Sequence, residues 1–134
     1  MPNAELAARI LHQITEYPEH YNQTYWLNGT DILFPHTDLN HSEHHCGTTL
    51  CIAGHAAHLT GYTLTSDHAT KPRHPTVSIY AAARAELELT EEDATWLFWG
   101  GRTPAQTRAA LAQLAAGAPS IDQATIHATW PTTP

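Results

Sequence analysis

The stretch Thr49-Leu-Cys-Ile-Ala-Gly-His-Ala-Ala-His-Leu-Thr60 is the segment most decisive for the fold. Its residues are apolar on nearly every side of a helix, and a helix of that kind is buried rather than amphipathic. Thr48 is a suitable N-cap, and Gly61 can end the helix in a left-handed conformation. The pattern therefore predicts a buried helix over residues 49–60 at the centre of the molecule.

One polar stripe interrupts the apolar surface of this predicted helix. Cys51, His55 and His58 fall within about 60° of its circumference at 3.6 residues per turn. Gly54 and the alanines lack bulk, so a neighbouring helix can approach closely. We expect the polar stripe to face a pocket, a seam between elements or the histidine-rich loop before the helix.

Further helices are predicted on both sides of this segment from capping residues and helical spacing. They cover about residues 4–17, 76–87, 90–100 and 103–117. Irregular segments at 18–47 and 61–75 separate the first three helices, and residues 62–64 have the pattern of a short strand. The side chains expected in the core are Leu6, Ile10, Ile14, Leu50, Ile52, Leu59, Leu87, Leu97, Phe98, Leu111 and Leu114.

These elements predict one compact, mainly α domain over residues 1–134. It has about five helices, long irregular loops, room for a minor pair of short strands, and an irregular tail at 128–134. A chain of this length can build one hydrophobic core without disulfides or metals.

Charge and composition narrow the classes of partner. The 134 residues include six Lys and Arg against thirteen Asp and Glu, for a formal net charge of −7. Without a basic patch, a nucleic-acid phosphate backbone is not an expected partner, whereas an acidic surface favours a basic protein. The sequence has no apolar run long enough to span a membrane and no secretory leader pattern, so we expect a cytoplasmic protein.

The potential chemistry is concentrated in residues 41–58, which hold both cysteines and five of the eleven histidines. Thiolate and imidazole are preferred zinc ligands, and the candidate ligands are Cys46, Cys51 and two of His41, His44, His45 and His55. The Cys-x4-Cys spacing is looser than that of established zinc motifs. The zinc hypothesis therefore rests on ligand chemistry rather than on spacing.

Two other interpretations of the same segment remain open. In the first, Cys46 is a nucleophile activated by the predicted helix start and by His44 or His45, with the backbone N–H groups of Thr48 and Thr49 stabilising an oxyanion. In the second, the cysteines are a core residue and a turn residue, and the histidines are surface or capping groups. A reducing cytoplasm disfavours a disulfide between them.

The aromatic run Trp96-Leu-Phe-Trp99 allows a ligand-stacking role, but core packing explains it more simply. Aromatic side chains are used mainly for burial, so we expect a buried cluster with one exposed tryptophan. Glu91, Glu92 and Asp93 are interpreted as favourable charges at a helix N-terminus.

Several motifs together resemble a group of small proteins common in actinobacteria and in the phages that infect them. The shared pattern is Pro18, Gln23 and Trp26, then Cys46-Gly47-Thr48-x-x-Cys51-x-Ala53-Gly54, and later Leu89-Thr90-Glu91-Glu92-Asp93 with Leu97-Phe98. The similarity spans about residues 6–115.

The resemblance implies a shared core of Cys46, Gly47, Thr48, Cys51 and Gly54, with Gln23 and Trp26 as loop partners. Members often have an aromatic residue where this chain has His55, so the resemblance does not imply an obligatory ligand or base there. It implies no particular reaction. We therefore expect an accessory protein of an actinobacterium, prophage or phage that binds another protein, with a thiol-dependent hydrolase or transferase as the alternative.

Overall fold

The computed structural model describes residues 1–41 and 47–131. In these two ranges the α-helices are α1 (Ala4–Glu16), α2 (Ile52–Leu59), α3 (Ile79–Leu87), α4 (Glu91–Leu97), α5 (Pro104–Ala115) and α6 (Gln123–Thr129). The strands are β1 (Leu27–Asn28), β2 (Thr49–Leu50), β3 (Thr63–Thr65), β4 (His68–Thr70) and β5 (Val77–Ser78), and Pro18–His20 forms a 3₁₀ turn. The mainly α class is confirmed, with more helices and strands than predicted.

The strands form two small antiparallel sheets, and Leu50, Leu64 and Ala69 of these sheets are buried in the core. β1 pairs with β2, with Leu27 opposite Leu50. The second sheet has the order β3-β4-β5, and Leu64 in its first strand is also bridged to Leu33 of the long loop. The predicted short strand at 62–64 is therefore part of a three-stranded sheet that fastens the loop 18–41 to the rest of the fold.

Helix α2 is the buried centre of the molecule, as predicted, but its start was predicted wrongly. Thr49 and Leu50 are extended because they pair with β1, and the helix begins at Ile52. Cys51 is the N-cap, and its Sγ accepts a hydrogen bond from the backbone N–H of Gly54. Local capping chemistry at Thr48 was outweighed by strand pairing with a segment more than twenty residues away.

The expected enclosure of α2 holds for α1 and α3, which contact it directly, whereas α4 packs against α3 and α6 packs against α5. α1 packs against α5, and α2 packs against α3. The predicted core side chains are buried, except that Leu59 is only partly so. Gly54 matters in this packing, since a Cβ there would collide with the carbonyl oxygen of Trp26 and crowd Leu50. The element that approaches α2 closely at Gly54 is therefore a loop backbone rather than a helix.

The remaining differences lie at helix boundaries. Helix α3 begins at Ile79 with Ser78 as its N-cap, not near residue 76, because Val77 and Ser78 pair with β4. Helix α6 was not predicted, and it extends to Thr129, two residues into the expected irregular tail. It is a short helix that buries only Ile126 completely, so its sequence has little helical periodicity to reveal it.

Among the described residues, no helix combines the length and the hydrophobicity that crossing a membrane requires.

Candidate functional site

The polar stripe of α2 faces the loop that precedes it, and its histidines bind backbone carbonyl groups. His55 donates from Nε2 to the carbonyl oxygen of His20 at 3.0 Å, and His58 donates from Nε2 to that of Phe34 at 3.0 Å. His20 in turn donates from Nδ1 to the carbonyl oxygen of Thr48 at 2.8 Å. The three imidazoles are buried and hold the irregular loop against α2.

His55 is the most perturbed titratable group of this cluster. Burial lowers its pKa from 6.5 to about 3, and the nearby His58 and His20 act in the same direction, while the bond to the His20 carbonyl opposes them. The side chain is therefore neutral at physiological pH. A neutral, carbonyl-bound imidazole that is almost fully buried serves structure better than proton transfer.

Cys51 is also in an environment unsuited to nucleophilic chemistry. The side chain is 1% exposed, and burial raises the pKa of its thiol to about 11. The hydrogen bond from the Gly54 N–H, with a donor–acceptor distance of 3.4 Å, favours the thiolate but does not outweigh the loss of water. Without a metal, Cys51 is a buried, protonated helix cap.

The other proposed ligands are not assembled by the described part of the chain. His44, His45 and Cys46 lie outside the described residues. His41 lies at the surface, where its Nδ1 is 3.2 Å from a carboxylate oxygen of Asp38. In residues 1–41 and 47–131, no three His, Cys, Asp or Glu side chains are close enough together to hold a metal ion.

The helix start that was predicted beside Cys46 is wrong, and Cys46 itself lies outside the described residues. Helix α2 begins at Ile52, so the first-turn N–H groups are not those of Thr48 and Thr49. Thr49 is paired in β2, and Thr48 is buried. The proposed oxyanion donors are therefore not provided by the N-terminus of α2.

Gln23 is a hub whose hydrogen bonds join the loop 18–41, the start of α2 and the end of α4. Its Oε1 accepts hydrogen bonds from the Ile52 N–H at 3.3 Å and from the Tyr21 hydroxyl at 3.1 Å. Its Nε2 donates to the carbonyl oxygens of Leu97 at 2.7 Å and Trp99 at 3.1 Å. Because the side chain is 8% exposed, these bonds are made largely out of contact with water.

Trp26, the other loop partner implied by the resemblance, lies beside this hub. Its ring meets Tyr80 edge-on, and Tyr80 meets Phe98 in the same way, with ring centroids 6.5 and 5.6 Å apart. Trp26, Cys51 and Phe98 are among the residues that line a small cavity of about 110 Å³. Gln23 and Trp26 thus connect α2 to the end of α4 through hydrogen bonds and aromatic packing.

The end of α4 presents the exposed tryptophan that the aromatic run predicted. Trp96, Leu97 and Phe98 are buried, whereas Trp99 is 51% exposed. The guanidinium of Arg102 lies 4.2 Å from the ring centroid of Trp96 and 4.7 Å from that of Trp99. Arg102 Nε also donates to the Trp96 carbonyl at 2.8 Å, so this cation is fixed beside both rings.

Gly101 completes the support of the Trp99 ring. A Cβ at Gly101 would lie 2.6 Å from Cη2 of Trp99, so the ring packs directly on the glycine backbone. Trp99 is thus held by Arg102 and Gly101, and its carbonyl is held by Gln23. An aromatic side chain that is ordered in advance but half accessible loses little entropy when it is covered by a partner.

Trp99 lies at a groove that we call the Trp99 groove. Its volume is about 390 Å³, and it is lined by Glu91, Glu92, Thr95, Trp96, Trp99, Arg102 and Gln123. Trp96 donates from Nε1 to Nε2 of His127 at 3.0 Å, which attaches α6 beside the groove. Glu91 and Glu92 are exposed at its edge.

A larger open depression of about 580 Å³ lies elsewhere, between residues 27–31 and Ser66. Its lining is mainly loop backbone and short polar side chains, with Asp31 as the titratable one. The Trp99 groove is smaller but combines an ordered aromatic side chain with charged groups, so it is the better candidate for recognition.

The sequence indicated part of this site. It predicted an exposed tryptophan in the aromatic run, but not which tryptophan, nor the role of Arg102. The sequence feature that could have revealed this support of Trp99 is the order Trp-Gly-Gly-Arg at 99–102, because a glycine beside an aromatic residue permits close packing of the ring. His20 was missed because a single histidine in a turn has no distinguishing pattern.

Comparison of the chain with protein-family models, with curated proteins and with solved structures finds no match.

Proposed function

We propose that this protein is a small accessory protein of the actinobacterial, prophage or phage type that acts in the cytoplasm by binding another protein. In this proposal the chain is one domain, and the Trp99 groove is the binding surface. The proposal assigns no catalytic reaction to the domain.

The observation that carries the proposal is the arrangement of Trp99. Half of this side chain is accessible, yet Arg102, Gly101 and the Gln23 bond to its backbone restrict its position. Tryptophan and arginine are enriched among the residues that dominate protein–protein binding energy. A hydrophobic side chain ordered in this way at a groove supports recognition of a partner.

The resemblance described above is in keeping with this surface, because Gln23 belongs to its pattern and donates a hydrogen bond to the Trp99 carbonyl. A partner-binding role would explain why the loop residue and the α4 segment occur together in that pattern. In that case the residues of the shared pattern serve to position the exposed Trp99 side chain.

In-cell photo-crosslinking tests the proposal. A photo-reactive amino acid is placed at Thr95 or Gln123, which line the groove, and at Glu16, which is exposed on α1 as the control position. We expect one protein to be captured from both groove positions in an actinobacterial host, and not from position 16.

Trp99→Ala should abolish this capture, whereas the matched change Phe34→Ala should preserve it, since Phe34 is 57% exposed and outside the groove lining. Capture that is unaffected by Trp99→Ala, or that is equal from position 16, would refute the proposed surface.

We also propose that the Cys/His segment holds a structural zinc ion on Cys46 and Cys51 with histidines, rather than a catalytic thiol. The burial and raised pKa of Cys51 argue against that residue as a nucleophile, while a bound metal would remove its thiol proton outright. The remaining support is ligand chemistry: two thiols and several imidazoles close in sequence.

A further inference from the structure

We infer that the Trp99 groove receives a positively charged, arginine-bearing peptide segment of the partner protein. This inference rests on the proposed function and adds the chemistry of the partner. Three features of the groove support it: exposed carboxylates that form no salt bridge within the described residues, an internal example of guanidinium stacking, and a size suited to side chains.

The carboxylates of Glu91 and Glu92 are available to a ligand. In the described part of the chain, carboxylates lie beside a basic side chain in His41–Asp38, His68–Asp67 and the ion pair Lys71–Glu86, and neither groove glutamate takes part in such a pair. Arg102, the groove's own cation, directs its guanidinium at the two indole rings and its Nε at a carbonyl. The edge of the groove therefore keeps negative charge that a basic segment would complement.

The internal pair of Arg102 with Trp96 and Trp99 shows how this surface accommodates a guanidinium. The planar group lies over both indole rings at 4.2 and 4.7 Å. Arginine combines stacking on an aromatic ring with two-pronged hydrogen bonding to a carboxylate, which lysine cannot do. An arginine from the partner could contact the accessible part of Trp99 while its N–H groups reach Glu91 or Glu92.

Size and overall charge agree with this occupant. A groove of about 390 Å³ is within the range of sites that take a small ligand or a few side chains. The net charge of −7 would increase the rate of encounter with a basic segment, and added salt would reduce it.

A nuclear magnetic resonance titration of the isotope-labelled protein tests the inference. The probe is a synthetic peptide of arginine, glycine and serine, and its control has glutamine in place of every arginine. We expect the arginine peptide to shift the indole N–H signal of Trp99 and the amide signal of Thr95, and the glutamine peptide to leave both unchanged.

Variants separate specific binding from general attraction to an acidic protein. Glu91→Gln/Glu92→Gln should weaken binding about tenfold through loss of charge-assisted bonds. Glu16→Gln/Glu19→Gln removes the same charge from exposed positions on and just beyond α1 and should weaken binding far less, through the loss of long-range attraction alone. Trp99→Ala should weaken binding by a similar factor, provided that its spectrum remains that of a folded protein.

Equal weakening by the two glutamate pairs would overturn the inference, as would binding of the glutamine peptide in the groove. Shifts of groove signals with protein concentration alone would also overturn it, because the occupant would then be a second copy of the chain. Successful crosslinking through the groove together with failure of the arginine peptide would reject the basic partner while leaving the protein-binding proposal intact.

Discussion

His55 and Cys51 have polar side chains that the fold uses as internal connectors. His55 is 1% exposed and bonded to the His20 carbonyl, while Cys51 caps α2 through its sulfur. Both lost contact with water on folding, and their pKa values moved in the directions that preserve the neutral forms. Two side chains that the sequence offered as candidate zinc ligands therefore act in packing and helix capping in the described part of the chain.

The pKa of His55 predicts sensitivity to acid. Its pKa is about 3 in the folded protein against an ordinary value of 6.5, so the unfolded chain binds the proton more tightly. The stability that depends on His55 being neutral is fully present above pH 6.5, and it is lost progressively as the pH falls from 6.5 towards 3. At pH 5 the loss from this one group is about 2 kcal/mol relative to pH 7.

Urea unfolding of wild type and His55→Gln at pH 7 and pH 5 measures this effect. Glutamine does not titrate and can still donate to the His20 carbonyl, so the variant should lose about 2 kcal/mol less than wild type over the interval. His12→Gln, at an exposed position on α1, should behave like wild type. An unchanged pH dependence in His55→Gln would contradict the assignment.

At the scale of elements, the hydrogen bonds and strand pairings of the loop 18–41 determine how the helices are joined to one another. The loop is bonded to α2 through His55 and His58, paired with β2 and bridged to β3, and it reaches the end of α4 through Gln23. This irregular segment thus connects α2 to the end of α4, whereas elsewhere in the molecule helices are connected by packing directly against each other. Its hydrogen bonds replace regular backbone pairing.

Gln23→Ala tests the importance of this connection. The change leaves the Ile52 N–H and the Leu97 and Trp99 carbonyls without their side-chain partner, each at about 1 kcal/mol or more. We expect a loss of about 3 kcal/mol in the free energy of unfolding, measured by urea denaturation.

Gln113→Ala is the matched control, because Gln113 accepts a hydrogen bond from the Asp122 N–H at a solvent-accessible position. Its expected cost is below about 1 kcal/mol. Similar losses in the two variants would mean that Gln23 is not a structural hub.

At the scale of the whole molecule, the proposed zinc ion would contribute to the stability of the fold. The zinc hypothesis predicts that protein purified without a metal-affinity step contains stoichiometric zinc by elemental analysis. Zinc should also raise the melting temperature, because binding energy at a structural site adds to folding energy.

Cys46→Ser should lose the zinc, whereas His12→Gln should retain it, since His12 lies outside the proposed ligand set. Substoichiometric zinc that dialyses away with no change in helicity would instead indicate adventitious binding by the histidines. The described packing around α2 would then suffice for folding.

Helical elements were the most predictable part of the fold from sequence. The buried α2, the start of α4 at Thr90 and the start of α5 at Thr103-Pro104 follow from local periodicity and capping chemistry, which neighbouring residues encode. The helix starts predicted at Thr49 and near residue 76 were wrong because Thr49 and Val77 pair with other strands.

The sequence by itself determined a mainly helical fold around α2, an acidic surface and an aromatic run with one exposed tryptophan, since these depend on composition and short-range pattern. Only the tertiary structure decided that Cys51 is a cap, that His20, His55 and His58 hold carbonyl groups, and that Arg102 and Gly101 support Trp99. The physical reason is that hydrogen bonding, burial and ring packing depend on which distant residues meet, and spacing along the chain does not specify them.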